Sequence, residues 1–433
     1  MVSMTELGRR TIGLKLVLFC MALMGMLLCG CGGDGGGGNR DTAPLDDGIV
    51  ILDFGYSDYG YDLTMDEDGN IYVTGNARNS LNDADMVVVK LDSHGRPDAS
   101  FGDDGHVFFD SGFGRDSGAA VQIHGGNIYV AGDSRNASGT DSDLAFWRLL
   151  PDGMLDPSFD GDGLLTVDIG NDGARGLIVG TSITAVGRSY DGVNDDVALV
   201  RLRDDGTLDP GFGVDGVVVE DFGSSESLAS VALDGDGKIL ATGLFASAGN
   251  FLLVVRYNPD GSLDPTFAGS GVLIFDAPDL GDTMGSSIVL APSGRILVAG
   301  YADNGRNRDM AVWRLTASGA LDLKFGDRGV ALIDAGGDEF AEDIRIDGSG
   351  NLVVAGYGGT AGGAAGYDML LARLTADGVL DTGFGAGGIA AYDGGSGEDL
   401  AHSLEIDDAG RIVATGRSYN GRDFDIIVWR YTP

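Results

Sequence analysis

From residue 48 onward the chain alternates short apolar runs with clusters of glycine, aspartate and asparagine. Between residues 329 and 374 the runs are Gly329-Val-Ala-Leu-Ile-Asp334, Ala341 to Asp347, Asn351 to Gly356 and Asp368 to Leu374. Such runs span four to seven residues, are rich in Val, Ile and Leu, and are bounded by turn-forming residues, which is strand chemistry. No window after residue 48 holds a helical period over the roughly 10–12 residues that a helix needs. The pattern predicts four short strands per unit and an all-β chain.

The unit repeats. The turn Asp98-Ala-Ser-Phe101-Gly102 recurs at Asp156…Phe159, Asp209…Phe212, Asp264…Phe267, Asp322…Phe325 and Asp381…Phe384, with the phenylalanines 58, 53, 55, 58 and 59 residues apart. A strand ending in a cation, Met86-Val-Val-Val-Lys90-Leu, returns with Arg148, Arg201, Arg256, Arg314, Arg373 and Arg430. A strand ending in glycine, Asn70-Ile-Tyr-Val-Thr-Gly75, returns up to Arg411–Gly416, and its third copy, Thr181 to Gly187, is the loosest. The cation strand therefore occurs seven times and the Asp-x-x-Phe turn six times, as seven units with six junctions require. A four-stranded unit of this length buries both faces only by stacking on its neighbours, and a closed ring leaves the fewest edges. The expectation is a seven-bladed β-propeller, with an open β solenoid as the alternative; a parallel β-helix has shorter rungs than this period. Whether the blade boundaries follow the unit boundaries stays open.

The succession Gly-x-Leu-Asp-x-x-Phe-Gly-x-x-Gly, then Asp, then a Gly-ended strand, then Asp-x-x-x-x-Arg-Leu resembles the delta-60 repeat family of bacterial proteins. The resemblance covers residues 48–433. It implies a propeller and brings neither an established activity nor catalytic residues.

The amino terminus reads as an address. Arg9, Arg10 and Lys15 precede the apolar run Leu16–Leu28, which at 13 residues is too short to span a bilayer and fits a signal-peptide core. Leu28-Cys29-Gly30-Cys31 resembles the bacterial lipobox, and the resemblance makes Cys31 the acylated first residue of the mature protein; an ordinary signal peptide is the alternative. The expected organisation is a signal peptide over 1–30, a lipidated Cys and Gly-rich tether over 31–47, and the propeller over 48–433. The expected location is the outer membrane of a Gram-negative bacterium. Acylation at Cys31 would leave no free thiol, because Cys20 and Cys29 depart with the peptide.

Composition narrows the chemistry. With 28 Lys+Arg against 66 Asp+Glu the formal net charge is −38, which excludes a nucleic-acid partner that must be gripped through phosphates. Asp85, Asp143, Asp196, Asp309, Asp368 and Asp425 stand five places before the repeated cation. A feature present in nearly every unit reads as scaffold, each Arg pairing with an acid of its own or the neighbouring blade, such as the Asp110 or Asp334 type. Acids also recur ahead of the second strand, at Asp58, Asp116, Asp172, Glu226, Asp282, Glu339 and Glu398 or Asp399, suited to accepting backbone N–H groups. No cofactor is expected, with Ca²⁺ the one ion these acids invite; Asp66-Glu-Asp68-Gly and Asp234-Gly-Asp236-Gly are suggestive but do not complete a calcium loop. The Gly-x-Gly-x-x-Gly matches at Gly211 and Gly383 are followed by strands, which defeats a dinucleotide reading. No histidine pair has zinc spacing, and no nucleophile elbow is present.

What varies between units is the loop from the third to the fourth strand, and Tyr190, Phe245, Tyr301, Tyr357 and Tyr419 stand at its entrance as candidate binding residues. The functional expectation is an exported lipoprotein, monomeric, whose propeller is a binding or structural interaction module for an envelope protein or a glycan. The alternative is a metal-dependent hydrolase or lyase with acids at the propeller channel; enzymatic signals are otherwise generic.

Overall fold

The computed structural model describes residues 48–433 apart from 82, 140, 278 and 360–365. The leader, Cys31 and the tether lie outside the described residues. Among those described, 28 strands form seven four-stranded antiparallel sheets, and no helix is long and apolar enough to cross a membrane.

The seven sheets are the blades of a propeller. Blade 1 is β2 (Asp58–Met65), β3 (Ile71–Arg78), β4 (Ala84–Leu91) and β5 (His106–Phe109), paired in that order. Blades 2 to 6 repeat it as β6–β9 (116–167), β10–β13 (173–220), β14–β17 (225–275), β18–β21 (283–333) and β22–β25 (339–392). Blade 7 takes β26 (Asp399–Ile406), β27 (Ile412–Tyr419) and β28 (Phe424–Tyr431) from the carboxyl end, and its outer strand is β1 (Gly48–Leu52) from the other end. The register runs from Gly48 opposite Arg430 to Leu52 opposite Ile426. The blade frame is thus displaced one strand from the sequence repeat: the first strand of each unit completes the blade of the unit before it. The displacement lets the two chain ends share a sheet, which closes the ring with hydrogen bonds.

The core lies between blades. Leu297, Val312 and Phe325 of blade 5 pack on Ile344, Val354 and Leu370 of blade 6, and Val50, Ile426 and Val428 pack in the same way on Leu63, Val73 and Val87. The Asp-x-x-Phe turn pins each blade to the next. Its phenylalanines Phe101, Phe159, Phe212, Phe267, Phe325 and Phe384 are buried. In five units the guanidinium lies 4.4–4.9 Å above the ring centroid.

The repeated cation pairs with an acid of its own blade, as expected, though not with one of the Asp110 or Asp334 type. Its partner is the turn aspartate eight residues on, as in Lys90–Asp98, Arg148–Asp156, Arg256–Asp264 and Arg373–Asp381, each at 2.8 Å. Asp110 and Asp334 sit at the opposite end of the blade, because the outer strand runs antiparallel to the cation strand and ends opposite its start, Phe109 facing Met86 and Ile333 facing Met310. Five of the cations also reach the neighbouring blade: among them Arg148 donates to the carbonyl of Asp204, Arg314 to that of Ala376 and Arg430 to that of Ser93.

Candidate ligand site at the channel mouth

The inner strands β2, β6, β10, β14, β18, β22 and β26 surround a central channel that holds a cavity of about 850 Å³. Every inner strand carries a β-bulge at the same place. Pairing skips one residue between Gly60 and Asp62, Gly118 and Ala120, Ala174 and Gly176, Leu228 and Ser230, Gly285 and Ser287, Ala341 and Asp343, and Ala401 and Ser403. The skipped residues are Tyr61, Ala119, Arg175, Ala229, Ser286, Glu342 and His402, and all seven line the cavity. A bulge re-aims a side chain at the expense of ladder pairing, and here it aims seven side chains at the channel.

The second strand of each blade runs two or three residues beyond the glycine that the repeat pattern placed at its end, and the bulge explains that glycine. It presses the inner strand's carbonyl onto the partner backbone, so a Cβ on Gly75, Gly132, Gly187, Gly243, Gly300, Gly356 or Gly416 would lie 1.8–1.9 Å from that oxygen. The glycine is fixed by the scaffold, whereas the bulge residue itself is free to vary from blade to blade.

Blades 1, 5, 6 and 7 use that freedom to gather aromatic rings. Phe424 lies 5.7 Å from Tyr59, which stacks on Tyr61 at 6.3 Å, and Tyr61 lies 5.9 Å from His402. His402 is 6.5 Å from Tyr357, which stacks on Phe340 at 5.2 Å, and Phe340 meets Tyr301 edge-on at 5.3 Å. These half-buried rings form a continuous arc that meets the channel cavity at Tyr61 and His402. Guanidinium groups cap it: Arg417 lies over Tyr59 and Phe424 at 5.1 and 5.0 Å, and Arg308 over Tyr301 at 5.3 Å. Tyr419 joins at 5.2 Å from Phe424.

Burial sets the charge states inside the arc. Desolvation lifts the Glu342 carboxyl to about 7, even though the Tyr357 hydroxyl donates to it and Arg175 and Arg417 attract its charge. Desolvation, with Arg417 and Arg175 beside it, pushes the His402 imidazole down to about 3, so it stays neutral near pH 7. Its buried Nε2 has no hydrogen-bond partner. One level deeper the residues after the bulges stitch the inner strands together. Ser287 Oγ donates to Asp343 at 2.7 Å, Leu404 N donates to Asp343 at 3.0 Å, Ser403 Oγ donates to Asp62 at 2.7 Å, and Val121 N donates to Asp62 at 2.8 Å. Arg345 pairs with both Asp343 and Glu405. Those channel acids are therefore engaged in holding blades 1, 2, 5, 6 and 7 together.

Of the five aromatics singled out from sequence, the structure brings Tyr301, Tyr357 and Tyr419 to the arc. Tyr190 stands apart and exposed, and Phe245 packs on its cross-strand neighbour Phe251 at 6.3 Å. Sequence reasoning missed Tyr61, Arg175, Glu342, His402 and Arg417. The available signal was a break in strand alternation, three residues after the recurring acid, with six residue types among the seven units. The recurring acids themselves accept backbone N–H groups, as anticipated: Phe54 N donates to Asp58, Ser111 N to Asp116, Ile169 N to Asp172, Gly337 N to Glu339 and Gly394 N to Asp399, each at 2.7 Å. In the last unit Asp399, not Glu398, has this role, and in the fifth Thr283 occupies the position, with Asp282 one residue earlier. Asp66 and Asp234 accept N–H groups of their own turns at 2.9–3.0 Å on the far face of the ring.

Comparison with known proteins agrees with this architecture. Residues 126–159, 182–212, 235–267, 291–325 and 348–384 match the family described as a domain of unknown function (DUF5122) beta-propeller, each segment ending on a buried turn phenylalanine. Residues 55–82 match a beta-propeller repeat. No curated protein matches the chain. Similar solved structures include Drosophila semaphorin 2a, 9% identical, with 90% of this chain and 75% of that chain covered and a TM-score of 0.50. The β-propeller domain of the trilobed protease from Pyrococcus furiosus is 10% identical, covering 86% and 95%, with a TM-score of 0.43. Polysaccharide lyase Uly1 is 9% identical, covering 86% and 90%, with a TM-score of 0.47. The family matches and the seven blades agree on one description: the chain is built from the repeats of a β-propeller.

Proposed function

We propose that the protein is an exported, Cys31-anchored module of the bacterial envelope that binds a glycan at the channel mouth. The observation that carries the reading is the arc from Phe424 to Tyr301, built at positions where the repeats differ from one another. Sugar rings present apolar C–H faces to aromatic rings and hydroxyls to polar groups. The arc supplies the first, and Arg417, Arg308, Glu342 and His402 supply the second. A cavity of about 850 Å³ is of the size that holds a small ligand or the end of a chain. The acidic remainder of the surface repels polyanions, so the arginines at the mouth favour a neutral or sparsely charged saccharide.

The test is a glycan-array screen of the purified chain, repeated with Tyr357→Ala and with His402→Ala/Arg417→Ala. Loss of tenfold or more in affinity, about 1.4 kcal/mol, with an unchanged melting temperature is the expected result. Glycan binding that survives both variants moves the ligand elsewhere. A protein crosslinked in cells near Tyr301 or Tyr357, with no glycan retained, replaces the glycan with an envelope protein partner. Shortening of a bound glycan, stopped by chelation, would make the protein the metal-dependent hydrolase or lyase that channel acids permit. Release of Cys31→Ser into the soluble fraction checks the anchor separately.

A further inference from the structure

Away from the channel, carboxylates gather where one blade meets the next. Asp53, Asp58 and Asp425 converge between blades 7 and 1, Asp83, Asp85 and Asp110 at the junction of blades 1 and 2, and Asp196, Asp221 and Glu226 between blades 3 and 4. Asp309, Asp334 and Glu339 do the same between blades 5 and 6, and Asp368, Asp393 and Asp399 between blades 6 and 7; in every trio the oxygens lie within 4.8 Å of one another. The trios have one construction. An aspartate at the start of a cation strand and one just past the outer strand come from the same blade, and, in all but the blade 1–2 trio, the third acid opens the inner strand of the following blade.

A second observation points to a ligand. Asp58, Asp309, Glu339 and Asp399 are at most 3% exposed, and each keeps a buried carboxylate oxygen that no donor reaches: Asp58 Oδ1, Asp309 Oδ1, Glu339 Oε2 and Asp399 Oδ1. In each of Asp58, Glu339 and Asp399 the other oxygen accepts a backbone N–H at 2.7 Å, so the side chain is held in place with one oxygen spare. Buried polar atoms ordinarily find a partner, and buried charge is ordinarily paired or bound to a metal. Three carboxylates contribute up to six hard oxygen atoms, and the exposed member of a trio (Asp53, Asp221, Asp334 or Asp393) leaves room for water. That is the ligand chemistry and the loose geometry of Ca²⁺, in contrast with the strict octahedron and retained water shell of Mg²⁺.

We infer that the propeller binds Ca²⁺ at these trios, one ion to a trio, and that in four of the five the ion links two consecutive blades. The boundary between blades 4 and 5 is the internal contrast. There Asn250 and Thr283 stand at two of the three positions and make ordinary hydrogen bonds, Leu252 N donating to Thr283 Oγ1 at 2.9 Å. Only Asp276 remains of the trio.

The experiment measures calcium bound per chain by equilibrium dialysis of EGTA-treated full-length protein against CaCl₂, alongside melting curves in EGTA, MgCl₂ and CaCl₂. Up to five equivalents of calcium and a melting temperature raised by several degrees in CaCl₂ but not in MgCl₂ are expected. Asp334→Asn alters an exposed side chain and keeps the oxygen that accepts from Gly336 N, and it should lose one equivalent. Asp276→Asn, at a boundary without a trio, should lose none. Failure to take up calcium at millimolar concentration overturns the inference, as does calcium uptake that both variants leave unchanged or lower equally.

Discussion

Gly356 and its six counterparts have no side chain because an inner-strand carbonyl occupies the space a side chain would fill. Gly356→Ala places a Cβ 1.9 Å from Phe340 O, against rigid backbone, while at Gly348 nothing lies within 4 Å. Urea unfolding should show Gly356→Ala destabilised by roughly 2–4 kcal/mol, with Gly348→Ala near neutral. Asp62 makes a second residue-scale prediction. Burial raises its carboxyl from 3.8 to about 7, so between those values the folded protein holds a proton that the unfolded chain has released. The stability from this group is complete at acid pH and fades as the pH rises towards 7. His402 acts in the opposite sense: lowered from 6.5 to about 3, it withdraws stability as the pH falls through that interval. In melting curves run in EGTA, Asp62→Asn should gain on the wild type as the pH rises from 5 to 8, and parallel curves would contradict the assignment.

Four short strands, the Asp-x-x-Phe turn and six junctions between seven units are all legible in the residues, because each rests on local chemistry: Val/Ile/Leu runs, an aspartate cap and a phenylalanine to bury. The blade frame is not legible, since Gly48 and Arg430 carry no mark that they will face each other in one sheet. Part of the site was within reach. Tyr301, Tyr357 and Tyr419 stand in loops that differ between units, but Tyr61, Arg175, Glu342 and His402 lie inside strands, where one extra residue changes the face a side chain occupies. The cation–aspartate pairs show why pairing partners are harder to read than pairing itself. Arg148 needed an acid, and the chain offers 66; only the bend of the turn selects Asp156. Arg148 and Asp156 are 5% and 8% exposed, so Arg148→Ala leaves a buried carboxylate uncompensated. Its expected cost is about 3 kcal/mol in denaturant unfolding. Arg148→Lys should recover part of the loss, as Lys90 fills that place in the first unit, but without the donation to the next blade.

At the scale of the whole ring, the one-strand displacement makes the repeat exchangeable. Residues 271–328 contain β17 (Val272–Phe275) to β20 (Arg308–Leu315), and β21 (Val330–Ile333) follows them. Deleting that stretch leaves β21 able to complete blade 4, so the shortened chain has six whole blades and no stray strand. Each remaining interface must then open beyond the angle that its side chains fit. The deletion variant should melt lower by roughly 10 °C or more, and an unchanged melting temperature would argue that the ring is not closed under strain-free seven-fold packing.

Closure by β1 also settles a direction. Gly48 enters the ring opposite Arg430, which donates to the carbonyl of Ser93 in the turns of the far face. The aromatic mouth lies at the other end of the same strand, where Phe424 meets Tyr59. The two faces of the ring are thus unlike: the face at which β1 enters carries the Arg430 contact, and the face at which β1 leaves carries the aromatic rings.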